Sequence, residues 1–363
     1  MAHDDLKAEI EQRRPALVAL RRHFHQHPEL SFEERQTAAT IAAHLRDAGI
    51  EVTEGVGGYG VVGLIRGEKN GGSERTLLIR ADIDALPVEE ANEVEYRSQA
   101  PGKMHACGHD GHIAIALTLA ELLAARRDQL HGNAKFAFQH AEEYVGGAEP
   151  MVKAGVMHNP DVDAVIGLHL WSPTHVGDVV VQSGPFFASA DAFTLRVRGR
   201  GGHGAMPHLN IDPVVAAAQI VMAAQTIVSR EISPLHPAVI TFGSIHGGTA
   251  PNVVADEVVL QGTMRAYSQE DREYLLRRIG ELTQGVAASM RADVTYELDP
   301  GCRPCVNDHT ITALVRAAAE ATVGADHIPT GDQRQSVSDD MAVFLDAVPG
   351  CYFLVGAGNP ERG

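Results

Sequence analysis

Cysteine, histidine and paired glutamates occur in this sequence at spacings that suit a divalent metal. Cys107-Gly108-His109-Asp110 puts a thiol and an imidazole one residue apart. Glu142-Glu143 sets two carboxylates side by side, Asp82-Ile83-Asp84 sets two more around one apolar residue, and His169 follows an apolar run. Thiolate, imidazole and carboxylate together favour zinc or a similar borderline ion, whereas magnesium and calcium prefer oxygen alone. Adjacent glutamates can also divide the work: one ligates, and the other takes a proton from water that the ion has made more acidic. Singly, each residue has a plainer reading, as a small buried hydrophobe, a solvated acidic face or a core histidine. Jointly they carry more weight, because the acidic pair and His169 interrupt or end apolar runs, where an unpaired polar group is costly.

These residues need elements to position them. Apolar runs at Thr76–Arg80, Ala134–Gln139 and Ala164–Leu168 read as buried strands, and helical patterns separate them, so the chain is α/β. Each acidic or histidine candidate follows the last residue of such a strand, at the edge where open α/β sheets bind ligands. Cys107 to Asp110 precedes an Ala-rich helix predicted over His112–Arg126, and a further helix is predicted over Glu34–Ala48.

A second rhythm starts near Ser189: strand 192–198, a helix from Asp212-Pro213 to Val228, strands 238–245 and 257–267, a helix opening on Ser268-Gln-Glu-Asp271, and strand 294–298. This order, βαββαβ, is that of a ferredoxin-like unit. After Pro304 the first rhythm resumes, with helices near 310–322 and 340–346 and a strand at 351–355. The expected division is therefore a catalytic domain in two parts, 1–185 and 304–363, with an inserted domain over 186–303.

Composition removes several function classes. Thirty Lys and Arg against 47 Asp and Glu leave a net charge of −17, which repels nucleic acid and anionic membranes. No basic start followed by an apolar run marks the N-terminus, and four cysteines are too few for a disulfide framework, so a reducing, cytoplasmic setting is expected. Cys302-Arg-Pro-Cys305 lacks the second pair or the strand-then-helix context of a zinc or redox motif. Gly55-Val-Gly57-Gly-Tyr-Gly60 fits a dinucleotide pattern but precedes the strand-like Val61–Ile65, and so reads as a strand connection.

Several blocks in fixed order carry a family resemblance. They are Phe24-His-Gln-His-Pro-Glu-Leu30, Arg80-Ala-Asp-Ile-Asp-Ala-Leu-Pro87, Met104-His-Ala-Cys-Gly-His-Asp-Gly-His112, Phe138-Gln-His-Ala-Glu-Glu143, Gly201-Gly-His-Gly-Ala-Met-Pro-His208 and Gly356-Ala-Gly-Asn359. With these the chain resembles the aminoacylase and carboxypeptidase family of zinc peptidases, in the branch with hippurate hydrolase, auxin-amide hydrolase and N-acetyldiaminopimelate deacetylase.

The resemblance implies a mixed-sheet metallopeptidase-like catalytic domain with the inserted unit as lid and dimerisation domain. It implies two divalent ions per subunit, zinc first, with manganese, cobalt or nickel as alternatives. By position Cys107, His109, Glu143 and His169 match metal ligands, Glu142 the general acid/base, and Asp84 a carboxylate that orients the site. In the lid, His203 matches the group facing the oxyanion, and Asn252 and Arg265 match substrate-binding residues. The expected partners are an N-acyl amino acid or short peptide and a second subunit, as a homodimer or a tetramer built from it. The expected reaction is hydrolysis of the N-acyl amide, with a metallo-carboxypeptidase or dipeptidase as the alternative and a catalytically dead metal-binding scaffold as the remaining class.

Two departures stand out. His140 replaces the usual proline beside the acidic pair, where it could reshape the pocket or add a ligand. A further histidine ligand is expected soon after Asn359, and the sequence stops at Gly363; of a truncated C-terminus and an incomplete second metal site, truncation is the expectation.

Overall fold

The computed structural model describes residues 3–69 and 75–359. The polypeptide divides into two units. The first comprises Met1–Gly184, Asn307–Gln333 and Asp339–Gly363, and the second Pro185–Val306 with Arg334–Ser338. The junctions thus fall at Pro185 and Val306, not at 186 and 303, and a five-residue return, Arg334–Ser338, joins the second unit, which the sequence pattern does not signal.

The first unit opens with α1 (His3–Gln26) and α2 (Arg35–Asp47). There follow β1 (Glu51–Val56), β2 (Gly60–Ile65), β3 (Thr76–Asp82), α3 (His109–Ala124), β4 (Asn133–Gln139), α4 (Ala148–Lys153), β5 (Ala164–His175) and β6 (Val179–Val180). Its sheet has the order β1-β2-β4-β3-β5 and continues through two further strands. Strand β3 is parallel to both β4 and β5, while β1, β2 and β4 run antiparallel in turn, which makes the sheet mixed. The alternation of α2 packs Ile41, Ala42 and Leu45 into a core with Ile113 and Leu117 of α3 and Phe136 and Phe138 of β4. The glycine-rich segment before Val61 is the β1–β2 turn.

The second unit contains β7 (Gly184–Phe187), β8 (Asp191–Arg198), β9 (Gly202–His203), α5 (Pro213–Thr226), β10 (Ala238–Gly247), β11 (Val253–Val254), β12 (Glu257–Ala266), α6 (Gln269–Ser289), β13 (Asp293–Asp299) and β14 (Cys305–Asn307). Its four-stranded sheet has the order β10-β12-β8-β13, all antiparallel, with α5 and α6 against it. Both helices begin as their sequences require. Asp212 accepts from the backbone N–H groups of Val214 and Val215, and Ser268 Oγ accepts from Asp271 N. Strands β9 and β11 form a separate ribbon.

The chain completes the first unit with α7 (His309–Val323), α8 (Ala342–Ala347) and β15 (Gly350–Gly358), which lies parallel to β5 and antiparallel to β6.

Candidate metal centre

Two strand ends make the crevice. Strand β3 stays paired with β4 through Asp82↔Gln139 but leaves β5 after Arg80↔Gly167, so β3 and β5 part where the candidate residues begin. Strand β5 runs on to His175, which corrects the expectation that it ends at Leu168: His169 lies in mid-strand, beside the opened gap. Helix α3 also begins earlier than expected, at His109 and not His112, so His109 and Asp110 form its first turn. Gly108 makes the entry with φ +88°, a conformation that suits glycine, and lets Cys107 and His109 face one space.

Hydrogen bonds fix the histidine tautomers. His109 Nδ1 lies 2.9 Å from the carbonyl of Asp84, and His169 Nδ1 lies 2.6 Å from the carbonyl of Leu170. Each Nδ1 must donate there, so each Nε2 offers its lone pair. His169 Nε2 is 3.4 Å from Cys107 Sγ, and His109 Nε2 is 3.8 Å from Glu143 Oε1. His112 is the opposite case: its Nε2 accepts from Leu170 N at 2.8 Å, so its Nδ1 donates to Asp82 Oδ1 at 2.5 Å. Though His112 lies close enough to Asp82 and His109 to share an ion, it has no lone pair left to give. It anchors β5 to β3 where the ladder between them has ended.

Among the described residues two other donor groups include His109, Cys107 with His109 and His169, and His109 with Glu142 and Glu143, each with its ligand atoms within 4.8 Å of one another. They overlap at His109, the arrangement a pair of neighbouring ions would use. The fit is tested by what these atoms lack: His109 Nε2 and Glu143 Oε1 are buried without any hydrogen-bond partner. Such a lapse in a folded interior costs about 1–3 kcal/mol per group unless something else satisfies it. Electrostatics agree. Burial disfavours a charged His109, yet Asp82, Asp84 and Cys107 outweigh it and hold its pKa well above the usual value, so the cavity calls for a cation. Burial pushes Cys107 and Glu143 up and pulls His169 down to about 4. The residues present therefore fit divalent metal.

Asp84 does not face outward as a donor. Its Oδ2 accepts from Ser31 Oγ at 2.6 Å and from Glu143 N at 3.1 Å, while its backbone carbonyl accepts from His109 Nδ1, which ties one residue to both the acidic pair and His109. Glu142 is buried, and burial followed by the charges of Asp339 and Asp340 raises its pKa well above the ordinary carboxylate value. Those three carboxylates also lie within 4.8 Å of one another. They already have a cation nearby, because the buried Arg80 guanidinium donates to Asp82 at 2.7 Å and to Asp340 at 2.9 Å and lies 3.1 Å from Asp339. We therefore read the all-carboxylate group as an arginine cage and not as an ion site.

Arg80, Asp339 and Asp340 escape the sequence reading as site residues. Asp340 appears there only as a helix start, and the helix in fact begins at Ala342. Ser31 and Glu34 were missed too; Glu34 Oε1 accepts from Ala141 N at 2.7 Å and so braces the backbone just before Glu142.

His140 is buried, and it belongs to no donor group among the described residues. It reshapes instead of ligating. Its ring fills the space over Gly58, where an added Cβ would come within 2.4 Å of Nε2, so the glycine-rich β1–β2 turn is the wall on which His140 packs. No disulfide joins the buried Cys302 and Cys305, and neither belongs to a candidate ion group among the described residues. The histidine expected beyond Asn359 lies outside the described residues.

In the second unit, His203 pairs with Val253 across the β9–β11 ribbon, next to Asn252, whose carbonyl accepts from Gly204 N at 2.8 Å. His203 Nδ1 accepts from Ala205 N at 3.1 Å, so the exposed ring carries its proton on Nε2 as a donor. Arg265 is not brought beside them within this unit. It lies eight residues from Glu257 along β12, about 26 Å at the usual strand rise, and Glu257 marks the end nearer the ribbon.

Comparison with known proteins adds the family. Residues 78–363 match the model of Peptidase family M20/M25/M40. The chain is 41% identical over 308 residues to N-acyl-L-amino acid amidohydrolase of Geobacillus stearothermophilus, covering 85% of this chain and 82% of that one. It is 38% identical over 369 residues to thermostable carboxypeptidase 2 of Saccharolobus solfataricus, covering 99% and 90%. Among solved structures it is similar to the YXEP protein of Bacillus subtilis, described as a dinuclear metal binding peptidase from the M20 family, with TM-score 0.81, 31% identity and coverage of 95% and 89%.

Proposed function

This chain belongs to peptidase family M20/M25/M40 and is a metal-dependent hydrolase of linear amides, and from that premise we propose that it cleaves the amide bond of N-acyl amino acids. The observation that carries the reading is a buried Glu142 beside donors, His109 Nε2 and Glu143 Oε1, that have no partner within the protein. Cys107, His109, Glu143 and His169 would hold the ions, and the thiolate favours zinc over the harder cations. Bound there, divalent metal supplies Lewis acidity, which lowers the pKa of water and polarises a carbonyl.

The chain's own part is proton transfer and placement. Glu142 takes the proton from the attacking water and returns it to the leaving nitrogen. Its raised pKa suits that exchange, because a carboxylate that holds a proton readily can also deliver it. Asp84 keeps Glu143 and His109 in place through the bonds given above. His203, with its Nε2 proton outward, has the form of an oxyanion donor.

Support for an N-acyl substrate comes from the amidohydrolase relative, and the carboxypeptidase relative supports a peptide instead. Initial rates on N-benzoylglycine and N-acetylmethionine set against glycylmethionine decide between them. Turnover of the blocked substrates at least tenfold above the free dipeptide is expected, and the reverse order would replace the proposal with a peptidase.

We also infer a homodimer formed through the second unit, supported by exposed Val214, Val215 and Met222 on α5 and Val239 and Ile245 on the edge strand β10. Sedimentation as a single chain at micromolar concentration would refute it.

A further inference from the structure

The segment Phe24-His-Gln-His-Pro-Glu-Leu30 has a place in the resemblance but no role in the chemistry so far. Its parts are tied to the site at several points. Glu29 accepts from Gln36 N and Thr37 N at the start of α2, its carbonyl accepts from Ala85 N, and Leu30 bridges to Ala85. His25, in the last turn of α1, is buried and lies between two carboxylates: Nδ1 is 2.9 Å from Asp110 Oδ2, and Nε2 is 3.1 Å from Glu90 Oε1. With an acid at each nitrogen the ring can donate to both, and its hydrogen bond to Asp110 holds its pKa above the usual value. Glu90 is fixed in turn by Ser98 N at 2.7 Å and Asn92 Nδ2 at 3.2 Å.

Asp110 is the residue after the candidate ligand His109, in the first turn of α3. Its carboxylate is fully buried, and everything that holds it arrives at Oδ2: His25 Nδ1, and Arg21 Nε at 3.1 Å from the half-exposed Arg21. Oδ1 has no hydrogen-bond partner. Between Cys107 and His109 stands Gly108 at φ +88°, a residue that imposes little on the direction of the chain, and α3 has no side-chain cap at its N-terminus. The orientation of this turn therefore has to be set from outside it. The only buried anchor of its Asp110 carboxylate among the described residues is His25.

We propose that His25 is a positioning residue for the metal site, acting through Asp110 to hold the turn that presents Cys107 and His109. This rests on the reading of those two residues as ligands. Groups that hydrogen-bond a ligand directly typically change metal affinity by 10- to 100-fold when removed, and His25 acts one residue further out, through Asp110.

The test is a double-mutant cycle on metal affinity: wild type, His25→Phe, Asp110→Asn and the double variant are titrated with zinc alone against a chromophoric chelator. Titrations run well below the melting transition, where circular dichroism shows each protein folded; if His25→Phe does not fold, His25→Gln takes its place. Each single change is expected to weaken zinc binding at least tenfold, and the double variant no more than the worse single one. A role in fold stability alone would lower the melting temperature and leave the affinity of the folded protein unchanged, which overturns the proposal. Losses that multiply in the double variant also overturn it, since His25 would then not act through Asp110. A wild type without zinc affinity would sink the ligand assignment itself, a failure distinct from the other two.

Discussion

Glu142→Gln is expected to lower kcat by about 100-fold to 10,000-fold while leaving the metal content near wild type, the range that a positioned proton-transfer group usually contributes. The change keeps the side-chain shape and removes the group that can accept a proton. The structure leaves a real competitor to this assignment, because Glu142 Oε2 lies 4.0 Å from His109 Nε2, scarcely farther than Glu143 Oε1 at 3.8 Å. Two differences favour Glu142 as the proton carrier. Glu142 faces Asp339 and Asp340, whose charges help keep a proton on it, whereas Glu143 is drawn toward the His109 side and has a buried oxygen without a partner. The paired measurement is metal analysis of Glu142→Gln beside Cys107→Ala. The cysteine variant should lose metal. If the glutamine variant loses as much, Glu142 is a ligand and the roles within the pair are exchanged.

What the sequence disclosed about this site follows from the range of its interactions. Strands β3 and β4 show as apolar runs, and the residues that end or follow them are local to those runs, so Asp82, Asp84 and the Glu142-Glu143 pair could be placed at one sheet edge from spacing alone. The ferredoxin-like unit was equally readable, because Asp212 and Ser268 announce its helices through local caps. The Arg80 cage was not. Its partner Asp340 is 260 residues away, and an acidic pair before an apolar stretch looks like any helix start. The full length of β5 was hidden for a different reason: Trp171-Ser-Pro-Thr-His175 contains a proline and polar residues, which argue against a strand interior. Likewise nothing in α1, with Pro15 inside a charged helix, marks His25 as a group buried between two acids from distant parts of the chain.

Removing metal is expected to abolish turnover, by at least about a thousandfold, and zinc, cobalt or manganese should restore it where magnesium and calcium do not. The selectivity follows from the donors. A thiolate and two imidazoles bind borderline ions far better than hard ones, and only Glu142 and Glu143 offer oxygen within the two overlapping groups. The same experiment has a readout that does not depend on turnover. His109 Nε2 and Glu143 Oε1 are buried without partners, so an ion that satisfies them stabilises the folded chain and not the unfolded one. At a free metal concentration about a thousand times the dissociation constant, that linkage is worth about 4 kcal/mol, enough to move the melting temperature by several degrees. The Cys107→Ala variant should show a smaller shift, because one donor of the group is gone. Full activity in protein shown by elemental analysis to be metal-free would overturn the hydrolytic mechanism. A melting temperature indifferent to zinc in the wild type would show that the two orphaned atoms are satisfied in some other way.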